Sequence, residues 1–279
     1  MKEKTIFKSE EGKNLILAEY DEILSVSEMT YIERYIQTTF GRTHIIESGE
    51  KNSESILLFH GSSSNSLMWL TDIEELSQSF HVFAIDILGE PGKSEARRLN
   101  LKNDDFPNWI IELMTQLKIK KTVLVGNSLG GWISLKFATT FPEKVSKLVL
   151  IATSGITPVR PSFMLKILFL SITGKTGKNY LNKLICGKKK VPKVVSDFTN
   201  LVMENFNPIL EPLPIISDDA LCKLTMPVMY IAGENDIMLN ALKTENRLKE
   251  NCPNLKSVVL NDTGHVVFDI MDLVIPFLN

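Results

Sequence analysis

The chain has 279 residues, 44% of them hydrophobic and 23% charged, with 31 Lys and Arg against 33 Asp and Glu. That length and balance suit one large globular domain, or one domain with an insertion, able to bury a substantial core. A net charge of −2 gives no reason to expect a nucleic-acid partner.

The first residues, Met1-Lys2-Glu3-Lys4, lead into polar sequence with no stretch resembling a secretory signal. No run reaches the roughly 18 apolar residues of a transmembrane helix. Cys186, Cys222 and Cys252 are scattered and lack metal-ligand spacing. An odd, dispersed count argues against a disulfide framework, so the expected compartment is the reducing cytoplasm.

In chain order, the first forty residues read as an N-terminal extension in which Ile23 to Ile36 has the pattern of an amphipathic helix. Six short apolar runs rich in β-branched residues then read as buried strands: 55–59, 81–85, 122–125, 148–151, 228–231 and 257–260. Helical patterns fall between most of them, at about 66–79, 104–117, 129–141, 239–250 and 266–278. Near-continuous apolar strands alternating with helices predict an α/β fold, a mostly parallel doubly wound sheet covered on both faces.

The alternation stops between 155 and 218, where six prolines and several helical apolar pieces stand without a convincing strand. The expected organisation is a core of 1–154 and 219–279 interrupted by a helical insertion at 155–218. The basic run Lys188-Lys189-Lys190 reads as a solvated loop. Gly174-Lys175-Thr176 is no phosphate loop, since Phe169 stands where that motif needs its first glycine.

The chemistry is concentrated at Thr122-Val-Leu-Val-Gly-Asn-Ser-Leu-Gly-Gly-Trp132. A strand runs in, a helix runs out, and Gly126-Asn127-Ser128-Leu129-Gly130 fits the G-x-S-x-G pattern. Glycines permit so sharp a turn, which lifts the serine hydroxyl above the sheet edge. The Leu129 N–H then opens a helix, where partial positive charge favours an oxyanion. A serine that merely caps the helix is the bland alternative.

These residues resemble the α/β-hydrolase family, and the likeness extends over most of the chain. His60-Gly61-Ser62 is similar to the family's oxyanion loop, and Asp86 to Ser94 to its D-x-x-G-x-G-x-S segment with one extra residue. The Gly-Asn-Ser-Leu-Gly-Gly run most resembles capped serine esterases and carbon–carbon bond hydrolases.

In this fold the triad follows the order serine, acid, histidine. Of the four histidines, His44, His60, His81 and His265, only the last comes after Ser128. It is the expected base, on a glycine-bearing loop after the last strand. The acid should lie at a strand end between them. Asp236 in Gly233-Glu-Asn-Asp matches the family's G-x-x-D pattern, with Glu234 as rival and Asp262 too near His265. The resemblance assigns the second oxyanion donor to the Ser62 main chain, with Ser63 as the alternative if the loop turns differently.

The resemblance also makes the insertion a lid. Phe163, Leu165 and Phe169 are candidates to line an apolar substrate pocket, or else only pack the lid on the core. Trp69 is a further pocket candidate or a support for the oxyanion loop, and Trp132 is expected in the core. The implied activity is a serine esterase acting on small to medium acyl or aryl esters, a small-molecule substrate with no metal or organic cofactor. Carbon–carbon hydrolysis on the same triad and a non-enzymatic binding protein are the competing classes. The sequence leaves oligomeric state open.

Overall fold

The computed structural model describes residues 5–171, 174, 177, 180, 181, 184, 185, 187 and 191–279. All six expected strands are present, as β3 (Ser55–Phe59), β4 (His81–Ile85), β5 (Thr122–Asn127), β6 (Val145–Ile151), β7 (Val228–Gly233) and β8 (Leu255–Leu260). They pair in parallel. Two more strands, β1 (Ile32–Thr38) and β2 (Gly41–Ser48), extend the sheet as an antiparallel hairpin whose second strand pairs with β4. The order across the eight strands is β1-β2-β4-β3-β5-β6-β7-β8.

The hairpin corrects the helix expected over 23–36. The N-terminal helix is instead α1 (Glu10–Ser25), opened by the Ser9 hydroxyl on the Gly12 N–H. Its buried face, Ile16, Tyr20 and Leu24, repeats every fourth residue as a helix stripe must. Ile32 to Thr38 buries Ile36 and Thr38, two residues apart on one face, and its partner places Thr43 opposite Ile36 and Gly41 opposite Thr38.

Adjacent strand residues bury on opposite faces, so the sheet has two cores. Leu57, Phe59 and Leu124 face α3 (Asp105–Gln116), α4 (Leu129–Thr140) and α8 (Ala241–Asn251). Ile56, Leu58, Val123 and Val125 face α1, α2 (Leu70–Leu76) and α9 (Met271–Leu278). Burial of both faces is what made these strands read as continuous apolar runs.

Between β6 and β7 lie α5 (Pro161–Ser171), α6 (Lys193–Asn205) and the short α7 (Asp218–Leu221). The Lys188 to Lys190 run and Cys186 lie outside the described residues. The N-terminal segment grips this insertion: Ile6, Phe7 and Ile16 pack with Val202 and Phe206. The Lys8 N–H donates to the Asn205 carbonyl, and the Asn207 N–H to that of Ile6. Residues before β1 therefore tie α6 to the core, and those from Ile32 onward are part of the sheet.

Candidate active site

Ser128 sits between the end of β5 and the start of α4 with φ 49° and ψ −103°. A non-glycine residue there lies outside the main allowed regions, at a cost of about 1–3 kcal/mol. Hydrogen bonds on both sides hold it. Its N–H donates to the Ile151 carbonyl at 2.9 Å, and its own carbonyl accepts from Trp132 at 3.0 Å and Ser154 at 3.3 Å. The turn also needs close approach. A Cβ on Gly130 would lie 2.1 Å from the Phe59 carbonyl oxygen, so only glycine lets α4 start against the end of β3.

Asp236 and His265 come from the loops after β7 and β8. The loops lie side by side, with Glu234 N–H on the Leu260 carbonyl and Asn235 N–H on that of Thr263. All three side chains thus gather at the carboxyl ends of parallel strands, where open α/β sheets form their clefts. His265 Nδ1 is 2.7 Å from Asp236 Oδ2, and His265 Nε2 is 3.1 Å from Ser128 Oγ. An ionised carboxylate only accepts, so the imidazole proton sits on Nδ1 and the Nε2 lone pair faces the serine hydroxyl.

Asp236 is 2% exposed, and its other oxygen accepts the N–H groups of Met238 at 2.7 Å and Leu239 at 3.0 Å. Glu234 and Asp262, the other carboxylates weighed from sequence, are both exposed. The histidine loop is also touched by the insertion: the His265 N–H donates to the Ile185 carbonyl at 3.0 Å.

The loop after β3 crosses beside Ser128. A Cβ on Gly61 would lie 3.8 Å from Ser128 Cβ and 2.9 Å from Asn127 Oδ1. The Ser63 N–H donates to Glu90 Oε2 at 2.6 Å and is thereby committed. Of the two amides weighed from sequence, that leaves Ser62. On the helix side the Gly130 N–H is committed to the His60 carbonyl at 3.0 Å, with Leu129 at the first turn of α4 immediately after Ser128.

His60 is wholly buried, accepting the Ile87 N–H on Nε2 at 2.9 Å while Nδ1 faces the Gly61 carbonyl at 2.8 Å. That pairing fixes a neutral ring with its proton on Nδ1, and burial lowers its pKa. His44 lies between Asp86 and Glu33, 2.9 and 2.8 Å from them, and His81 meets Glu47. Burial pushes the Asp86 carboxyl up, but contacts around it outweigh that push. The bond and charge of His44, with the Ser66 hydroxyl, hold the group below the ordinary carboxylate range. The structure thus places three of the four histidines in scaffolding contacts.

The structure buries one of the three candidates on α5 and exposes the other two. Phe163 is 4% exposed, whereas Leu165 is 57% and Phe169 65% exposed. At about 100° per residue, α5 cannot turn 163 inward without turning 165 and 169 outward. Trp69 is buried beside α2, at the end of the short helical turn Ser66–Trp69. Trp132 is buried as expected, and its indole N–H donates to the Pro214 carbonyl at the end of the insertion.

Sequence pattern did not reveal the Glu90–Ser63 bond, although the extra residue in the 86–94 segment marked where to look. Among the described residues no group of three or more His, Cys, Asp or Glu could hold a metal, and no helix is long and apolar enough to cross a membrane.

A serine raised on a strained turn between a central parallel strand and its helix is the architecture of the α/β hydrolases. A family model of the alpha/beta hydrolase fold matches residues 54–174. The chain is 28% identical to the uncharacterized carboxylesterase nap of Bacillus subtilis (strain 168), over 89% of this chain and 85% of the other. It is 27% identical to carboxylesterase YbfK of the same strain, over 89% and 86%. The crystal structure of naproxen esterase (carboxylesterase NP) from Bacillus subtilis aligns with a TM-score of 0.84 at 25% identity, covering 98% of this chain and all of that one. The chain has the α/β hydrolase fold and is a hydrolytic enzyme, similar along most of its length to carboxylesterases.

Proposed function

We propose that this α/β hydrolase is a serine carboxylesterase for small to medium acyl or aryl esters, with Ser128 as nucleophile, His265 as base and acid, and Asp236 as the orienting carboxylate. The observation that carries the reading is the continuous chain of hydrogen bonds from Ser128 Oγ through both nitrogens of His265 to Asp236.

In this mechanism His265 Nε2 takes the hydroxyl proton as Ser128 Oγ attacks the ester carbonyl carbon. The carbonyl oxygen becomes an oxyanion facing the main-chain N–H groups of Ser62 and Leu129. Asp236 stabilises the imidazolium without taking its proton. His265 then protonates the departing alkoxide, leaving an acyl enzyme. Water, deprotonated by the same nitrogen, releases the acid and regenerates the serine. No step calls on a metal or organic cofactor.

Ester substrates are favoured over carbon–carbon bonds because the relatives that match along most of the chain carry carboxylesterase names. The insertion at 155–218 is the proposed lid. Among the described residues, exposed Cys222 and buried Cys252 are free thiols, which suits a reducing compartment, and a cytoplasmic location is part of the proposal.

The test is turnover of p-nitrophenyl acetate and butyrate by the wild type and by Ser128→Ala, alongside a panel of vinylogous diketones. Ester hydrolysis that disappears with the hydroxyl is expected. Turnover confined to the diketones would move the assignment to carbon–carbon hydrolysis, and a folded wild type inert to both would leave a binding role.

A further inference from the structure

Glu90 lies in the loop that follows β4, within the 86–94 segment, and it is 1% exposed. Burying a carboxyl is costly, and this one is used sparingly. Its Oε2 accepts the Ser63 N–H at 2.6 Å, and its Oε1 has no partner among the described residues. Ser63 holds φ 57°, a left-handed conformation that a non-glycine residue adopts only under constraint.

The rest of the oxyanion loop is fastened to the same segment. Asn65 Nδ2 donates to the Pro91 carbonyl at 2.9 Å, and the Ser66 N–H and hydroxyl both donate to Asp86 Oδ1, at 2.8 and 2.6 Å. These bonds secure the far end of the loop. Between Gly61, beside Ser128, and Asn65, the Glu90 carboxyl holds the backbone at Ser63.

We propose that Glu90 is a positioning residue for the oxyanion hole: by capturing the Ser63 N–H it fixes the Ser62–Ser63 peptide, and through Ser62 the adjoining peptide whose N–H faces the carbonyl oxygen of the substrate. The inference rests on the esterase reading above and extends it to a residue outside the triad.

The burial that surrounds Glu90 raises its carboxyl to about 8, against the pull of the Ser63 N–H and the Arg98 charge. The group is therefore largely neutral at pH 7. A neutral carboxyl oxygen accepts the Ser63 N–H without setting a full negative charge next to a site that must stabilise a developing anion.

The experiment compares Glu90→Leu, which fills the space and removes the acceptor, with Glu90→Gln, which keeps a neutral acceptor. Both are measured for Tm, for kcat and KM on p-nitrophenyl butyrate, and for inhibition by a trifluoromethyl ketone that forms a tetrahedral adduct with serine. Glu90→Leu is expected to lower kcat by roughly 10–100-fold with KM within about twofold, and to weaken the ketone by the same factor as kcat/KM. Glu90→Gln is expected to restore kcat to within about threefold of wild type.

A folded Glu90→Leu enzyme with wild-type kcat overturns the proposal, as does one whose KM alone rises. Should Glu90→Leu not fold, a Glu90→Gln enzyme that binds the ketone much more weakly than wild type overturns it, and unchanged binding supports it. If Ser128→Ala keeps the activity, the esterase reading itself fails; if Ser128 is required and Glu90→Leu is silent, only this inference fails.

Discussion

Replacing Asp236 by Asn probes how the acid works, because the local bonds dictate which way the new amide must lie. The Oδ1 position receives two main-chain N–H donors, from Met238 and Leu239. An amide NH2 placed there would set donor against donor, so the amide oxygen stays at Oδ1 and the NH2 takes the Oδ2 position. There it faces His265 Nδ1 across 2.7 Å. The ring satisfies that donor only as the other tautomer, with the proton on Nε2, and it then presents an N–H to Ser128 Oγ instead of a lone pair.

The base is therefore absent while the fold keeps its hydrogen-bond count. Loss of a correctly oriented base in such a triad lowers kcat by roughly 10³–10⁴-fold, about 4–5.5 kcal/mol at 1.36 kcal/mol per decade. Stopped-assay hydrolysis of p-nitrophenyl butyrate at pH 7–8, with circular dichroism to monitor folding, reads both quantities. The expected result is that drop with Tm nearly unchanged. Activity within about tenfold of wild type in a folded Asp236→Asn enzyme would refute the reasoning.

Three further outcomes follow from packing and charge. Gly130→Ala pushes a Cβ to within 2.1 Å of the Phe59 carbonyl oxygen, and overpacking against backbone should cost about 1–3 kcal/mol or more, read as a lower denaturant midpoint together with lost activity. On α5, Phe163→Ala should destabilise by about 3–5 kcal/mol, whereas Phe169→Ser, at an exposed position, should stay within about 0.5 kcal/mol. A reversal of that order by denaturant titration would contradict the placement of the helix.

Glu90 gives a pH dependence of stability. Its folded pKa of about 8 lies above its ordinary value of 4.5, so below 4.5 both states hold the proton and the group is neutral in its effect. As pH rises toward 8 the unfolded chain releases a proton that the folded chain retains, and stability falls, by an order of a few kcal/mol in total. Glu90→Gln removes that slope, so its stability should decline less than wild type over this range, measured by urea unfolding at a series of pH values.

The centre of the fold was legible because a strand buried on both faces must be apolar throughout, as 55–59 and 122–125 are. The outer hairpin was not. Ile32 to Thr38 is buried only at Ile36 and Thr38, and so sparse a pattern is shared by a surface helix. α1 escaped notice because three buried residues four apart, Ile16, Tyr20 and Leu24, are spread through charged sequence.

At the site, the turn around Ser128 is a local device and can be read from five residues. Topology then placed His265 and Asp236, since each falls at the carboxyl end of a parallel strand. The Glu90–Ser63 bond joins loops 27 residues apart and depends on tertiary packing that carries no periodic signal. The same holds for Leu165 and Phe169. Their apolar character suggested a pocket, but which side of α5 faces inward was decided by where Phe163 found the core.

The most direct measurement is covalent labelling with a fluorophosphonate probe followed by mass spectrometry of the modified peptide. The account predicts a single adduct on Ser128 in the wild type, and none in Ser128→Ala. A folded wild-type protein that stays unlabelled, or that carries the adduct on a different side chain, would contradict it.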